Sequence, residues 1–411
     1  MLARLRANLF WVWVAVLLVF VAGGVYAGFR VLTEGLGITA LRDLAPWGQW
    51  IVLDLSCIGL AAGAFSLSAM THLAGRRRFE PLARVAVFIG LLGYTGALTA
   101  LFMDIGQPIR FWHGWVYWQP HSMLWEVTMC ITLYFMVLVL EVFPFAIEFP
   151  LFERVFGPKL HARLIRLGRR VHRFAPALSV VGMGLSLLHQ SSLGATYGVV
   201  AGRAALFRTT MPLLFIVSAV ACGIAFTIQM TLLAQWLKRR MLVPKHVLFE
   251  AGQIAGGILL VYLYMRFWDS TVGSYGYVPG ASEAQMTLTS GDRFAIPFWA
   301  WEIGFGGLIA AILLIWARRR QSITMLMAGS GLAMAGLIAN RWNTTMLAFT
   351  EPLSTAPALT IPTVVEYYPN AIEWMVSLGV VAGLMLAFSL GMRYFPAFRG
   401  VAPSEAATAG D

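Results

Sequence analysis

Five side chains that can hold or release a proton sit within or beside long apolar runs: Asp54, Asp104, His121, Glu126 and His189. Three of them belong to one short stretch, Asp104 to Glu126, which also carries Arg110, His113 and the aromatics Phe111, Trp112, Trp115, Tyr117 and Trp118. Ionisable groups at such positions mark function by default, because each is costly to take out of water. The chemistry they fit is that of a redox quinone, an apolar ring that gains or loses two protons with its two electrons. Its site needs an apolar slot, aromatic walls, and acid or base groups at the carbonyl ends with access to water. His189 or His121 suits a hydrogen bond to one quinone oxygen, and Asp104 or Glu126 suits the released proton.

The elements that must position these groups are membrane helices. Of 411 residues 59% are hydrophobic and 12% charged, which excludes both a soluble globular domain and a disordered chain. A hydrocarbon core needs about 20 apolar residues per helix. Ten such spans are expected, at 9–31, 47–73, 82–105, 122–143, 176–197, 211–237, 247–268, 294–317, 322–341 and 371–392. Backbone polar groups in lipid must be satisfied within the segment, and runs of this length favour helices over barrel strands, so the fold class is all-α.

The net charge of +11 could suggest nucleic acid, but most Lys and Arg mark one membrane face. They fall in the N-terminus, at Arg76 to Arg78 and Arg84, in the 143–176 and 237–247 links, in Arg318 to Arg320, and at Arg393 and Arg399. The positive-inside rule then puts both termini in the cytoplasm. The 144–175 link, with Leu160, Leu164 and Leu167 at helical spacing, reads as a helix lying along the lipid surface. Val25-Tyr26-Ala27 gives the first span a signal-peptide flavour, although its apolar run is longer than such signals have.

On this frame Asp54 lies about 10 Å inside Trp47, Glu126 about 6 Å inside Ser122, which suits an N-cap, and His189 about 20 Å from the cytoplasmic end of its span. The five groups thus share the outer third of spans two to five. Asp104 and Arg110, separated by the helix breakers Gly106 and Pro108, are expected to pair. The second half is sparser. Glu250, Gln253, Arg266, Glu302 and Glu373 form a candidate proton path through spans seven to ten. Flexible outer loops at 268–293 and 342–370 offer a docking surface, and the last dozen residues read as disordered.

Three other readings compete. A b-type haem needs two facing axial ligands, and only His121 with His189 offers a pair. A secondary transporter places its site at the midplane on broken helices, whereas these polar groups gather near one face. A passive anchor would not need five buried ionisable groups. Cys57, Cys130 and Cys222 fall within spans and form no C-x-x-C pair, which leaves them as packing residues.

Pro46-Trp47-Gly48 with Asp54, the 104–112 turn Asp-Ile-Gly-Gln-Pro-Ile-Arg-Phe-Trp, Ser122 through Glu126, and above all Leu188-His189-Gln190-Ser191-Ser192-Leu193-Gly194 resemble the NrfD/polysulfide reductase membrane-subunit family. The likeness is to its ten-span, HybB-like branch. It covers spans two to five by motif, and spans six to nine mainly by number and through Asn340-Arg341-Trp342-Asn343.

The resemblance implies two four-helix bundles, residues 47–197 and 198–341. Residues 1–46 and 342–411 then hold a peripheral helix each, with their links and the tail. It further implies a multi-pass subunit of the bacterial inner membrane that exchanges electrons between quinone (menaquinone or ubiquinone, as exchangeable substrate) and a periplasmic iron–sulfur, ferredoxin-like subunit. That subunit is joined to a hydrogenase, molybdoenzyme or multihaem cytochrome. No haem or metal is expected in this chain, and no nucleic-acid partner. The family's quinone site lies near the periplasm in the first bundle, which carries the role to Asp54, Asp104, Arg110, His121, Glu126 and His189.

Overall fold

The structure, a computed structural model, describes residues 2–200, 202–238, 240–276, 280–349 and 365–394. Arg239, Tyr277, Arg399, most of the 342–370 loop and the expected disordered tail lie outside them. Among the described residues there is no β-strand, and the chain is a polytopic helical membrane protein. In chain order the helices are α1 (Leu2–Glu34), α2 (Gln49–Ala61), α3 (Gly63–His72), α4 (Glu80–Asp104), a short α5 (His113–Val116), α6 (Met123–Ala146), α7 (Pro150–Arg173) and α8 (Ala175–Gly198). Then come α9 (Met211–Lys238), α10 (Lys245–Tyr275), α11 (Ala281–Ser290), a π-helix (Pro297–Ile309) running into α12 (Ala310–Arg320), α13 (Ile323–Leu347) and α14 (Ala371–Tyr394).

Among the described residues nine helical stretches are each long and apolar enough to cross a membrane, and α7 and α8, bent by 65° at their junction, meet the same measure only as a pair. The polar run His189 to Ser192 dilutes the apolarity of α8. The α2–α3 pair packs on α4, and α6 packs on α8; α9, α10, the π-helix with α12, and α13 pack on one another; α8 and α9 meet between these sets. Helix α1 lies along α14.

Lipid supplies no hydrophobic drive between helices, so close backbone approach has to hold them together. The junction of α3 with α9 shows it most sharply. A Cβ on Gly63 would stand 2.3 Å from the Gly223 carbonyl oxygen, and one on Gly223 would stand 2.2 Å from the Gly63 nitrogen. Gly63→Val is therefore expected to force the two sets of helices apart, at a cost of several kcal/mol, by analogy with overpacked cores. Thermal melting of the solubilised complex would register it, and an unchanged melting temperature would contradict this packing.

Three local features differ from the sequence expectations. The second span is broken at Ala62, where the backbone makes an i→i−3 bond to Gly59, and the eighth opens as a π-helix. The 268–293 link is mostly helical. There α10 runs on to Tyr275, with Thr271 and Ser274 donating to carbonyls one turn back, and residues Ala281–Ser290 form α11. The expected N-cap is present, for Ser122 Oγ accepts from Trp125 N at 3.4 Å, and Gly106 turns the chain after α4 at φ +72°.

A candidate quinone and proton-transfer site

At the heart of the first set of helices lies His189 on α8, fully buried, with neither ring nitrogen hydrogen-bonded. Tyr94 of α4 sets its ring 5.8 Å away, and Tyr134 of α6 meets Tyr94 edge-on at 4.8 Å. Ser186, one turn below His189 on α8, lies beside both tyrosine hydroxyls, yet Ser186 Oγ and Tyr94 Oη lack hydrogen-bond partners. Asp54 of α2, 4% exposed, is an electrostatic neighbour of Tyr94 and of Asp104, and one oxygen of each aspartate is buried and unpartnered. Buried polar groups in a native protein are almost all hydrogen-bonded, and each orphan costs about 1–3 kcal/mol. Five orphaned groups on three helices, with the ring of Tyr134 beside them, are suited to a polar-tipped, ring-shaped ligand and its waters: Asp54, Tyr94, Asp104, Ser186 and His189.

The other residues picked from sequence are spread around this centre. Glu126 is half-buried, an electrostatic neighbour of Cys130 one turn further along α6, and Cys130 in turn neighbours Tyr94. His121 and Arg110 are exposed in the link. The expected Asp104–Arg110 pair does not form. The turn at Gly106 carries Arg110 outward while Asp104 stays at the helix end with one oxygen buried. The link packs on itself and on α6: Trp118 donates to the Trp115 carbonyl, Trp115 to Thr132 of α6, and Trp125 of α6 to the Gly114 carbonyl. Trp112, Trp115 and Trp118 keep 42–68% of their surface exposed, as belt residues do.

A polar column continues from this centre towards the end of the helices that bears the arginines. Glu141 is an electrostatic neighbour of Tyr134, and Ser68 Oγ meets Ser179 Oγ at 2.8 Å between α3 and α8. Beyond them opens a cavity of about 60 Å³ lined by Ser68, His72, Glu80, Arg84, Glu141 and His172. Tyr94, Tyr134, Ser186 and Glu141 escaped the sequence reading. Their only sequence signal was spacing, since Ser179 and Ser186, like Tyr134 and Glu141, stand two helical turns apart on one face.

The residues of the expected second path divide. Glu302, 2% exposed in the π-helix, accepts from Tyr262 Oη at 2.8 Å, Arg266 Nε at 2.8 Å and Asn340 Nδ2 at 3.0 Å. Arg266 also meets Asp269 at 2.5 Å, and Asp269 meets Arg208 at 2.9 Å and accepts from Thr210. Arg341 stacks on Phe215 at 3.7 Å and donates to Asn340 and Ser218. Glu250 and Gln253 instead sit at the arginine-bearing end, Glu250 paired with Arg78 and Gln253 accepting from Arg318 at 2.6 Å. Glu373 lies apart from all of these. The chain folds α14 back onto α1, α2 and α4, which brings Glu373 against Trp50, Tyr367 and Ala40, with Asp104 as electrostatic neighbour.

Comparison with known proteins places this geometry in context. The family model described as "Polysulphide reductase, NrfD" matches residues 37–348. The menaquinone reductase integral membrane subunit of Nitratidesulfovibrio vulgaris is 35% identical over 412 residues, covering 98% of this chain and 94% of that protein. A selenate reductase subunit from Mesobacillus selenatarsenatis is 28% identical, covering 91% of each. A probable Ni/Fe-hydrogenase 2 b-type cytochrome subunit of Escherichia coli is 26% identical, covering 89% of this chain and 87% of that protein.

Proposed function

Because the chain belongs to the polysulphide reductase NrfD family, whose model spans most of it, we propose that it is the quinone-reactive membrane subunit of a bacterial respiratory oxidoreductase complex. Its relatives include membrane subunits of menaquinone, selenate and menaquinol oxidoreductases, which supports a redox role and favours menaquinone as the substrate. The partners are a periplasmic iron–sulfur subunit, which exchanges the electrons, and a catalytic subunit. The chain lies in the inner membrane with both termini cytoplasmic, which puts the arginine-bearing end inside and the 105–122 link outside.

The observation that carries the proposal is His189, sealed in the protein with neither ring nitrogen hydrogen-bonded, against Tyr94, whose unpartnered hydroxyl lies by Ser186 and whose electrostatic neighbour is Asp54. Residues 47–197 form the quinone-binding bundle and residues 198–341 the second bundle. His189 and Tyr94 hold the two polar ends of the ring, Tyr134 walls it, and Asp54 and Asp104 carry protons. Glu126, His121 and Arg110 stand on the outer side, where they set the approach to the site. The b-haem alternative has less support, since His121 is exposed while His189 is sealed. The inner cavity, Glu141, Ser68 with Ser179, Tyr134 and Ser186 offer protons a route from the cytoplasm. The buried Glu302–Arg266–Asp269 network favours a second route in the other bundle, with Glu250 and Gln253 at its inner mouth.

Tyr94→Phe removes one orphaned hydroxyl and keeps the ring. It is expected to leave melting of the native complex unchanged or raise it, and to slow quinone turnover by about 10-fold or more. Binding of a fluorescent quinone analogue, measured alongside turnover, tests the site directly. Full turnover and unaltered analogue affinity would move the site out of this bundle.

A further inference from the structure

Glu373 is completely buried in the first turn of the last membrane helix, far in sequence from the residues of the quinone site. One role for it is plain. Asn370 Oδ1 accepts from Glu373 N at 3.1 Å, and Glu373 Oε2 accepts from Asn370 N at 3.0 Å, a reciprocal capping box. A capping glutamate normally sits at the surface, however, and this one has gathered more. Its carboxylate also accepts from Ala40 N at 3.0 Å and from the Tyr367 hydroxyl, and Trp50 Nε1 donates to its carbonyl at 3.2 Å. No ion pair holds it among the described residues; α14 packs on α4, where Ala100 and Met103 share one apolar cluster with Trp50, Ile372 and Val376, and Asp104 at the end of α4 is its electrostatic neighbour, as Asp54 of α2 is that of Asp104. Two further carboxylates thus lead from the quinone centre towards Glu373. Just beyond it the chain reaches the outer side, where Glu366 and Tyr368 are exposed.

We propose that Glu373 is the proton-relay residue of an outer port, passing protons between Asp104 and outer water past Tyr367 and Asn370. The proposal rests on the quinone reading above. A quinol that gives two electrons to the partner's iron–sulfur centre releases two protons, and a quinone that gains two electrons takes up two. The port carries them singly, with Asp104 and Glu373 each alternating between acid and carboxylate. Tyr367, which accepts from Gln49 N at 2.9 Å and donates to Glu373, holds the relay group in place.

Glu373→Gln separates this role from capping, because glutamine completes a capping box as glutamate does but carries no exchangeable acid proton. In the purified native complex it is expected to keep its melting temperature and its affinity for a quinone analogue. Its kcat should fall by about 10-fold or more and its pH profile should change, with little effect on KM. Tyr367→Phe, which leaves the box intact, should alter the pH profile in the same assay and decides the matter if the glutamine variant fails to assemble. Wild-type kcat and pH profile in Glu373→Gln, or in Tyr367→Phe where that variant decides, would overturn the port. Asp54→Asn is the control for the underlying reading. Its loss of turnover beside an active Glu373→Gln sinks the port alone, whereas full turnover and analogue binding in both sinks the quinone site as well.

Discussion

His189→Ala is expected to lower quinone turnover of the native complex by about 100-fold or more while the complex still assembles. The magnitude is that of losing a general acid–base group, about 10²–10⁴-fold. The imidazole makes no hydrogen bond in the protein, so its removal strands no partner, and what is lost is packing, the ring contact with Tyr94 included. A residue kept only for packing would behave in the opposite way, losing stability first and turnover little. Melting temperature and turnover measured on the same preparation separate the two cases. Gln190, the next residue, is the internal control. Its Nε2 donates to the Ile58 carbonyl at 3.2 Å, a helix-to-helix tie. Gln190→Ala should therefore cost stability more than rate.

Arg266→Met is expected to destabilise the second set of helices by about 3–5 kcal/mol, the cost of leaving buried carboxylates without their cation. Arg266 is 5% exposed and bridges Glu302 at 2.8 Å and Asp269 at 2.5 Å. Asp269 retains Arg208 and Thr210, so the deficit falls mainly on Glu302, which keeps only the neutral donors Tyr262 and Asn340. Adding Glu302→Gln should therefore recover much of the loss, and a double-mutant cycle in melting temperature would give the coupling directly. The same variants read out the second proton route. If the network conducts, complexes reconstituted in vesicles lose proton movement across the membrane while quinone turnover continues. If it is structural, the two fall together with the amount of assembled protein.

Much of this molecule was legible in the chain because lipid leaves few choices. A segment of about 20 apolar residues with no water to satisfy its backbone has to be helical, so span number and fold class follow from hydropathy. The cost of burying charge likewise singled out Asp54, Asp104 and His189. The same reasoning missed Tyr94, Tyr134 and Ser186, because a tyrosine or serine in a membrane helix is ordinarily a packing residue. Nothing local tells which of them gather their hydroxyls around Ser186. It also paired Asp104 with Arg110 by proximity in sequence, which the turn at Gly106 prevents.

The sequence by itself determined the helical spans, the basic end, the cap at Ser122, and the depth of each ionisable residue along its own axis. These depend on near neighbours in the chain and on the solvent the chain must face. Only the tertiary structure decided which helix faces meet. It set Tyr94 among His189, Tyr134, Ser186 and Asp54 and bound Arg266 to Glu302 across two helices. It also brought Glu373 from the end of the chain to the side of Asp104. Those meetings are set by close backbone approach at contacts such as Gly63 with Gly223, where the lack of room for a Cβ, not the pattern of apolar residues, chooses one rotation of each helix over another.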